Sequence, residues 1–119
     1  MKKEEVEYYY YYGALEKHVG YNKEEKISME YLKECIINEE LDRYSSILFN
    51  PSIETISEMV ALIETKNAFI VLKTGERGNG VKVEFNDKGK ALNYMLASLR
   101  MRKKMSSEQN NCDLQKKTL

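Results

Sequence analysis

A chain of 119 residues, 42% apolar and 32% charged, can build one ordinary core without metals or disulfides and leaves little room for a second domain. Nineteen basic and nineteen acidic side chains cancel to a formal charge of zero, so net charge assigns it neither to nucleic acid nor to an acidic surface. No apolar run approaches the roughly 18 residues of a membrane span, and MKKEEVE leads into tyrosines rather than an aliphatic leader core, so a cytoplasmic protein is expected.

The expected organisation is one α+β domain over residues 1–105 and a polar, disordered tail over 106–119. Residues 1–27 form a tyrosine-rich extension. A helix would spread Tyr8–Tyr12 around its axis, whereas a strand lets alternate rings face one way, so an aromatic strip facing a core or a partner is expected. Base stacking by these rings would need positive charge, and the neighbours are Glu4, Glu5 and Glu7. Ala14–His18 fits a helical turn closed by Gly20.

Ser28 has the side chain of an N-cap, and Met29, Leu32, Ile36 and Leu41 recur at helical spacing to about Glu40. Tyr44–Phe49 suits a short strand, which Asn50, Pro51 and Ser52 end. Ser52–Glu64 fits either a helix or a loop leading into a strand at Met59. The strand is preferred because Thr65-Lys66-Asn67 makes a hairpin-sized gap before the apolar run Ala68–Thr74. Val81, Val83 and Phe85 alternate with polar residues, as in a half-buried strand, after the glycine-rich loop Gly75–Gly80. Asp87 caps a last helix whose apolar stripe is Ala91, Leu92, Met95, Leu96 and Leu99, with Arg100, Arg102, Lys103 and Lys104 at its end. The predicted architecture is a small antiparallel meander of three to four strands, packed against an N-terminal and a C-terminal helix.

The zero charge conceals a division. Residues 24–64 carry ten acids against three bases, a net of −7, and residues 65–104 carry ten bases against three acids, a net of +7. If the halves do not interleave in space, one acidic and one basic surface result; if they do, they neutralise each other.

Catalytic apparatus is not evident. The glycine loop leads into a strand rather than a helix N-terminus and lacks the lysine and hydroxyl of a phosphate-binding loop. His18 is the only histidine, and Cys35 and Cys112 stand far apart without neighbouring ligands, so neither a metal, a cofactor nor a disulfide framework is expected. The pairs Glu24-Glu25 and Glu39-Glu40 point in different directions on a helix and suit a solvated face. No nucleophile has an identifiable base, and a non-enzymatic binding protein is expected.

The segment from Cys35 to Leu99 resembles the small immunity proteins of bacterial polymorphic-toxin systems, including contact-dependent growth inhibition. The resemblance is carried by the strand Phe69-Ile70-Val71, the turn Glu76-Arg77-Gly78, Phe85 and Asp87, with Ala91 and Tyr94 on the helix that follows. It implies a cytosolic protein that binds and neutralises the C-terminal domain of a cognate toxin, commonly a nuclease. An acidic surface suits such a partner, because a nucleic-acid site is basic. The expected contact residues are Glu34, Glu39, Glu40, Asp42, Glu54 and Glu58, with Arg77 at the hairpin tip and the tyrosine strip around Tyr10 as anchors. The competing readings are a nucleic-acid-binding regulator using Lys82, Lys88, Lys90, Arg100, Arg102, Lys103 and Lys104, and a phage-type inhibitor of a defence enzyme.

Overall fold

The computed structural model describes residues 13–51, 58–75 and 80–117, with side chains of the last helix described as far as residue 106. The expectations for Tyr8–Tyr12, for residues 52–57, for the hairpin tip 76–79 and for the side chains of 107–119 lie outside the described residues.

Residues 13–19 form helix α1, and Gly20 follows it with φ 68°, a left-handed conformation that glycine takes at no steric cost. Helix α2 (Met29–Asn38) begins where expected: the Ser28 side chain accepts a hydrogen bond from the Tyr31 amide at 3.1 Å. It buries Leu32 and Cys35 and is followed by a single 3-10 turn at Leu41–Arg43, which buries Leu41.

Strands β1 (Ser46–Phe49), β2 (Met59–Glu64), β3 (Phe69–Thr74) and β4 (Gly80–Phe85) lie side by side in that order. The β2–β3–β4 meander is antiparallel, as the two hairpin-length gaps require. The residues from Met59 are thus a strand and not the end of a helix. β1 departs from the all-antiparallel expectation: it pairs with β2 in parallel, Ile47 opposite Val60 and Leu48 opposite Ala61, so the sheet is mixed. The reason lies in the link. Nine residues separate Phe49 from Met59, too many for a tight two-residue hairpin, and β2 begins again opposite Ser46 at the start of β1. Both ends of this parallel pair are fastened. Ser46 N–H donates to the Glu58 carbonyl at 2.9 Å, Asn50 N–H donates to Leu62 O, and Glu64 N–H donates to Asn50 Oδ1, each of the last two at 2.7 Å.

Helix α3 (Lys88–Lys117) starts at Asp87, whose carboxylate accepts from the Lys90 amide at 3.0 Å. Its helical backbone continues beyond Met105, where the sequence places its end. A single apolar stripe was expected, yet every residue from Ala91 to Leu99 is buried. The sheet covers one side of this segment, while α2 and the strand-free stretch before it cover another. The polar residues that fall off the stripe find partners there: Asn93 Nδ2 donates to Asn22 O, and Ser98 Oγ donates to Tyr94 O, both at 2.9 Å. Leu15, Leu32, Leu41, Val60, Leu62, Val71 and the α3 residues form one core, with Tyr21 edge-on to Tyr94 at 5.8 Å between ring centroids.

Candidate interaction surface

The acidic half of the chain folds directly onto the basic half. Arg100 Nε lies 2.9 Å from Glu39 Oε1, and Arg100 Nη2 lies 2.7 Å from Glu39 Oε2, a two-pronged contact between α3 and the end of α2. Lys88 meets Glu64 at 2.7 Å, Lys90 meets Glu24 at 3.6 Å and Lys26 meets Asp87 at 3.1 Å. Lys103 Nζ donates to the Glu39 carbonyl, which sits at the C-cap of α2. The Arg100 contact holds the Glu39 carboxyl below its ordinary value; burial opposes this, and the nearby positive charges add to it. Interleaving along this seam consumes charge that the sequence left free to form two faces.

That seam sorts the expected contact residues. Glu39 is turned inward onto Arg100 and belongs to the packing of α2 on α3. Glu34 and Asp42 are exposed and form no ion pair among the described residues. Glu40 is exposed, and among the described residues its carboxylate pairs with Arg43, three positions on, at 3.2 Å, a kind of pair worth little in water. Glu58 is exposed in a different place, in a cleft of about 480 Å³ with Arg43, Tyr44, Thr74 and Arg102. Arg43 touches both sites, so the 3-10 turn joins the cleft to the end of α2. Glu54, Arg77 and Tyr10 lie outside the described residues.

The outward side of α2 is more specific than its net charge. Glu30, Glu34 and Ile37 follow one another at spacings of four and three, hence on one stripe of the helix. Ile37 is 74% exposed, the most of any large apolar residue described, and Tyr31 on the flank is 46% exposed. Ile37 does not figure among the residues expected at a partner surface, although no large apolar residue described is more exposed. The signal was available: Leu32 and Ile36 fix the inward face, and Ile37 falls off it.

Backbone conformation singles out two of the acids. Glu40 has φ 54° and Glu58 has φ 53°, in the left-handed region that costs a side-chain-bearing residue roughly 1–2 kcal/mol.

A second cluster was also missed. On β3, alternation puts Phe69, Val71 and Lys73 on the face toward α3. Lys73 is only 4% exposed, its Nζ 4.5 Å from the centroid of the Tyr94 ring. Burial, and then the charge of Arg102, lower its pKa to about 7. Arg102 ties this end of the sheet together, donating to Ser45 Oγ at 2.8 Å and to Thr74 O at 2.7 Å. Period-two counting along Ala68–Thr74 would have found Lys73, which entered the sequence reading only as one of ten bases.

Among the described residues no group of His, Cys, Asp and Glu could hold a metal ion, and no helix is long and apolar enough to cross a membrane. Comparison with protein families, with curated proteins and with solved structures finds no match.

Proposed function

We propose that this chain is an immunity protein, a stoichiometric inhibitor that binds a cognate bacterial toxin domain in the cytoplasm and blocks a basic, nucleic-acid-binding active site. The single observation that carries the reading is the outward stripe of α2, where Glu30 and Glu34 lead to a largely exposed Ile37 and on to Glu40 and Asp42. Exposed Lys33 shares this stripe, four positions before Ile37, and four acids against that one lysine around the aliphatic residue suit a partner surface that is basic and has an apolar recess. Strain at Glu40 and Glu58 points the same way, since left-handed non-glycine residues concentrate at sites of function. Such a protein needs no catalytic groups.

The nucleic-acid reading loses its cations to the fold. Lys88, Lys90 and Arg100 are in ion pairs, and Arg102, Lys103 and Lys104 donate to backbone or hydroxyl oxygens of the protein itself. Of the seven, Lys82 on the edge strand β4 is exposed and has no such contact among the described residues. A basic helix presented to phosphates would not spend its charge this way.

The test is binding to, and inhibition of, the toxin domain encoded beside its gene. The double variant Glu34→Lys, Asp42→Lys should weaken binding at least tenfold and flatten its salt dependence, with unchanged thermal unfolding. Undiminished inhibition by that variant would remove the acidic stripe from the interface, and absence of inhibition by the wild-type protein would end the immunity reading.

A further inference from the structure

The sheet ends at β4, and β4 has the sequence of a strand that fits itself. Its outer row of amides and carbonyls has no strand beside it among the described residues, and its register to β3 runs unbroken over all six residues. The other edge strand, β1, is four residues long, and Pro51 follows closely. Alternation along β4 puts Val81, Val83 and Phe85 on the face toward α3 and Lys82 and Glu84 on the opposite face. Both charged residues are exposed, and their neighbours on β3, Leu72 and Ile70, bring no charge. Among the described residues neither meets an opposite charge.

We propose that β4 is a dimerisation edge: two copies of this chain join β4 to β4, antiparallel about a two-fold axis at Val83, merging two four-stranded sheets into one. In that register Lys82 of each copy faces Glu84 of the other, and symmetry makes the pair twice. On the face toward α3, Val81 faces Phe85 of the second copy, and the two Val83 side chains meet at the axis. Moving the axis one residue either way sets Lys82 against Lys82 or Glu84 against Glu84. Like charges directly opposite are destabilising, so charge selects the register. A lone lysine on an edge strand works against pairing; here the glutamate two positions on answers it from the other copy. The inference does not rest on the toxin reading, since α2 packs on α3 and the 3-10 turn and not on β4. One edge strand buries less than a standard interface, so the dimer should have a dissociation constant on the order of 10⁻⁵ M.

The experiment is sedimentation equilibrium on the full chain at low salt, from about 1 to about 300 μM, a range that brackets that constant. The mass should rise from 13.9 kDa toward twice that value. Lys82→Glu and Glu84→Lys, each alone, set like charges opposite each other and should weaken the dimer about tenfold or more. The double exchange Lys82→Glu, Glu84→Lys should restore it. An equimolar mixture of the two single variants should also pair, because each carboxylate then faces an ammonium of the other copy; this arm keeps the test decisive if the double variant folds poorly. A wild-type chain that stays monomeric throughout would give the edge to some other occupant and overturn the proposal. So would a dimer indifferent to both single variants, or single variants whose mixture associates no better than either alone.

Discussion

Glu39 and Arg100, 61 positions apart in sequence, meet side-on with both carboxylate oxygens engaged, at 2.9 and 2.7 Å, and this contact joins the acidic half of the chain to the basic half. Arg100 also reaches the Cys35 sulfur at 3.7 Å, so one guanidinium spans the last turn of α2. The pair is partly solvent-exposed, which limits its worth to about 1 kcal/mol of coupling. A double-mutant cycle with Glu39→Gln and Arg100→Met, read by urea unfolding, should return that coupling. The carboxyl is held below its ordinary value of 4.5. Its contribution is therefore complete above that value, and it is lost as pH falls toward the depressed folded-state value. Below pH 5 the wild-type protein should lose stability faster than Glu39→Gln; parallel curves would mean that the pair is too screened to matter.

Gly89 marks the closest approach between α3 and the segment ahead of α2. A Cβ there would stand 2.8 Å from Lys26 Cβ and 3.4 Å from Ile27 O, and the Ile27 amide donates to the Gly89 carbonyl at 3.2 Å. Neither neighbour is a free chain end, so Gly89→Ala must push the segment away. The expected cost is about 1–3 kcal/mol, visible as a lowered denaturation midpoint. A variant as stable as wild type would show that residues 22–28 are loosely seated.

The elements were legible where a local rule operates alone. Ser28 and Asp87 as caps, Gly20 as a helix end and the alternation of Val81, Val83 and Phe85 all depend on neighbours a few residues away. The parallel pairing of β1 was not legible, because strand direction follows from how the chain returns from Phe49 to Met59 and not from the strand residues themselves. Ion pairing was equally hidden. Nothing local separates Glu39, consumed by Arg100, from Glu34 five positions earlier, which faces solvent. The expected contact residues on α2 follow from charge, but only packing shows which of them stay exposed.

Glu58 combines a strained backbone with an exposed carboxylate. Its φ of 53° suits glycine, while its carbonyl accepts from both the Ser46 amide and Ser45 Oγ, and its amide donates to Gly75 O at 3.1 Å. Those backbone bonds survive a change of side chain. Glu58→Gly relieves the strain and loosens the unfolded chain, opposing effects that should leave a net gain of up to about 1 kcal/mol. Chemical denaturation measures the first effect, and titration with the proposed toxin partner measures a second: affinity should fall as stability rises. Loss of stability in Glu58→Gly would instead assign the carboxylate a structural role in the cleft with Arg43 and Arg102.

Lys73 sets the stability of the sheet-helix interface against pH. In the folded protein its pKa is lowered to about 7 by burial and by Arg102, while the Tyr94 ring favours the charged form without offsetting that cost. Its neighbours across the sheet, Val60 and Val81, bring no charge. Between pH 7 and its ordinary value of 10.5 the unfolded chain binds a proton that the folded chain does not, so stability rises with pH through this window. Below pH 7 both states are protonated and the full penalty is present. Lys73→Met keeps the length and apolar stem of the side chain and removes the ionising group. At pH 7 it should unfold at higher urea, with a gain on the order of a few kcal/mol, and the gain should shrink steadily toward pH 10. A gain that does not depend on pH would trace the effect to packing, and a loss at every pH would show that the amine's contact with Tyr94 outweighs the cost of its burial.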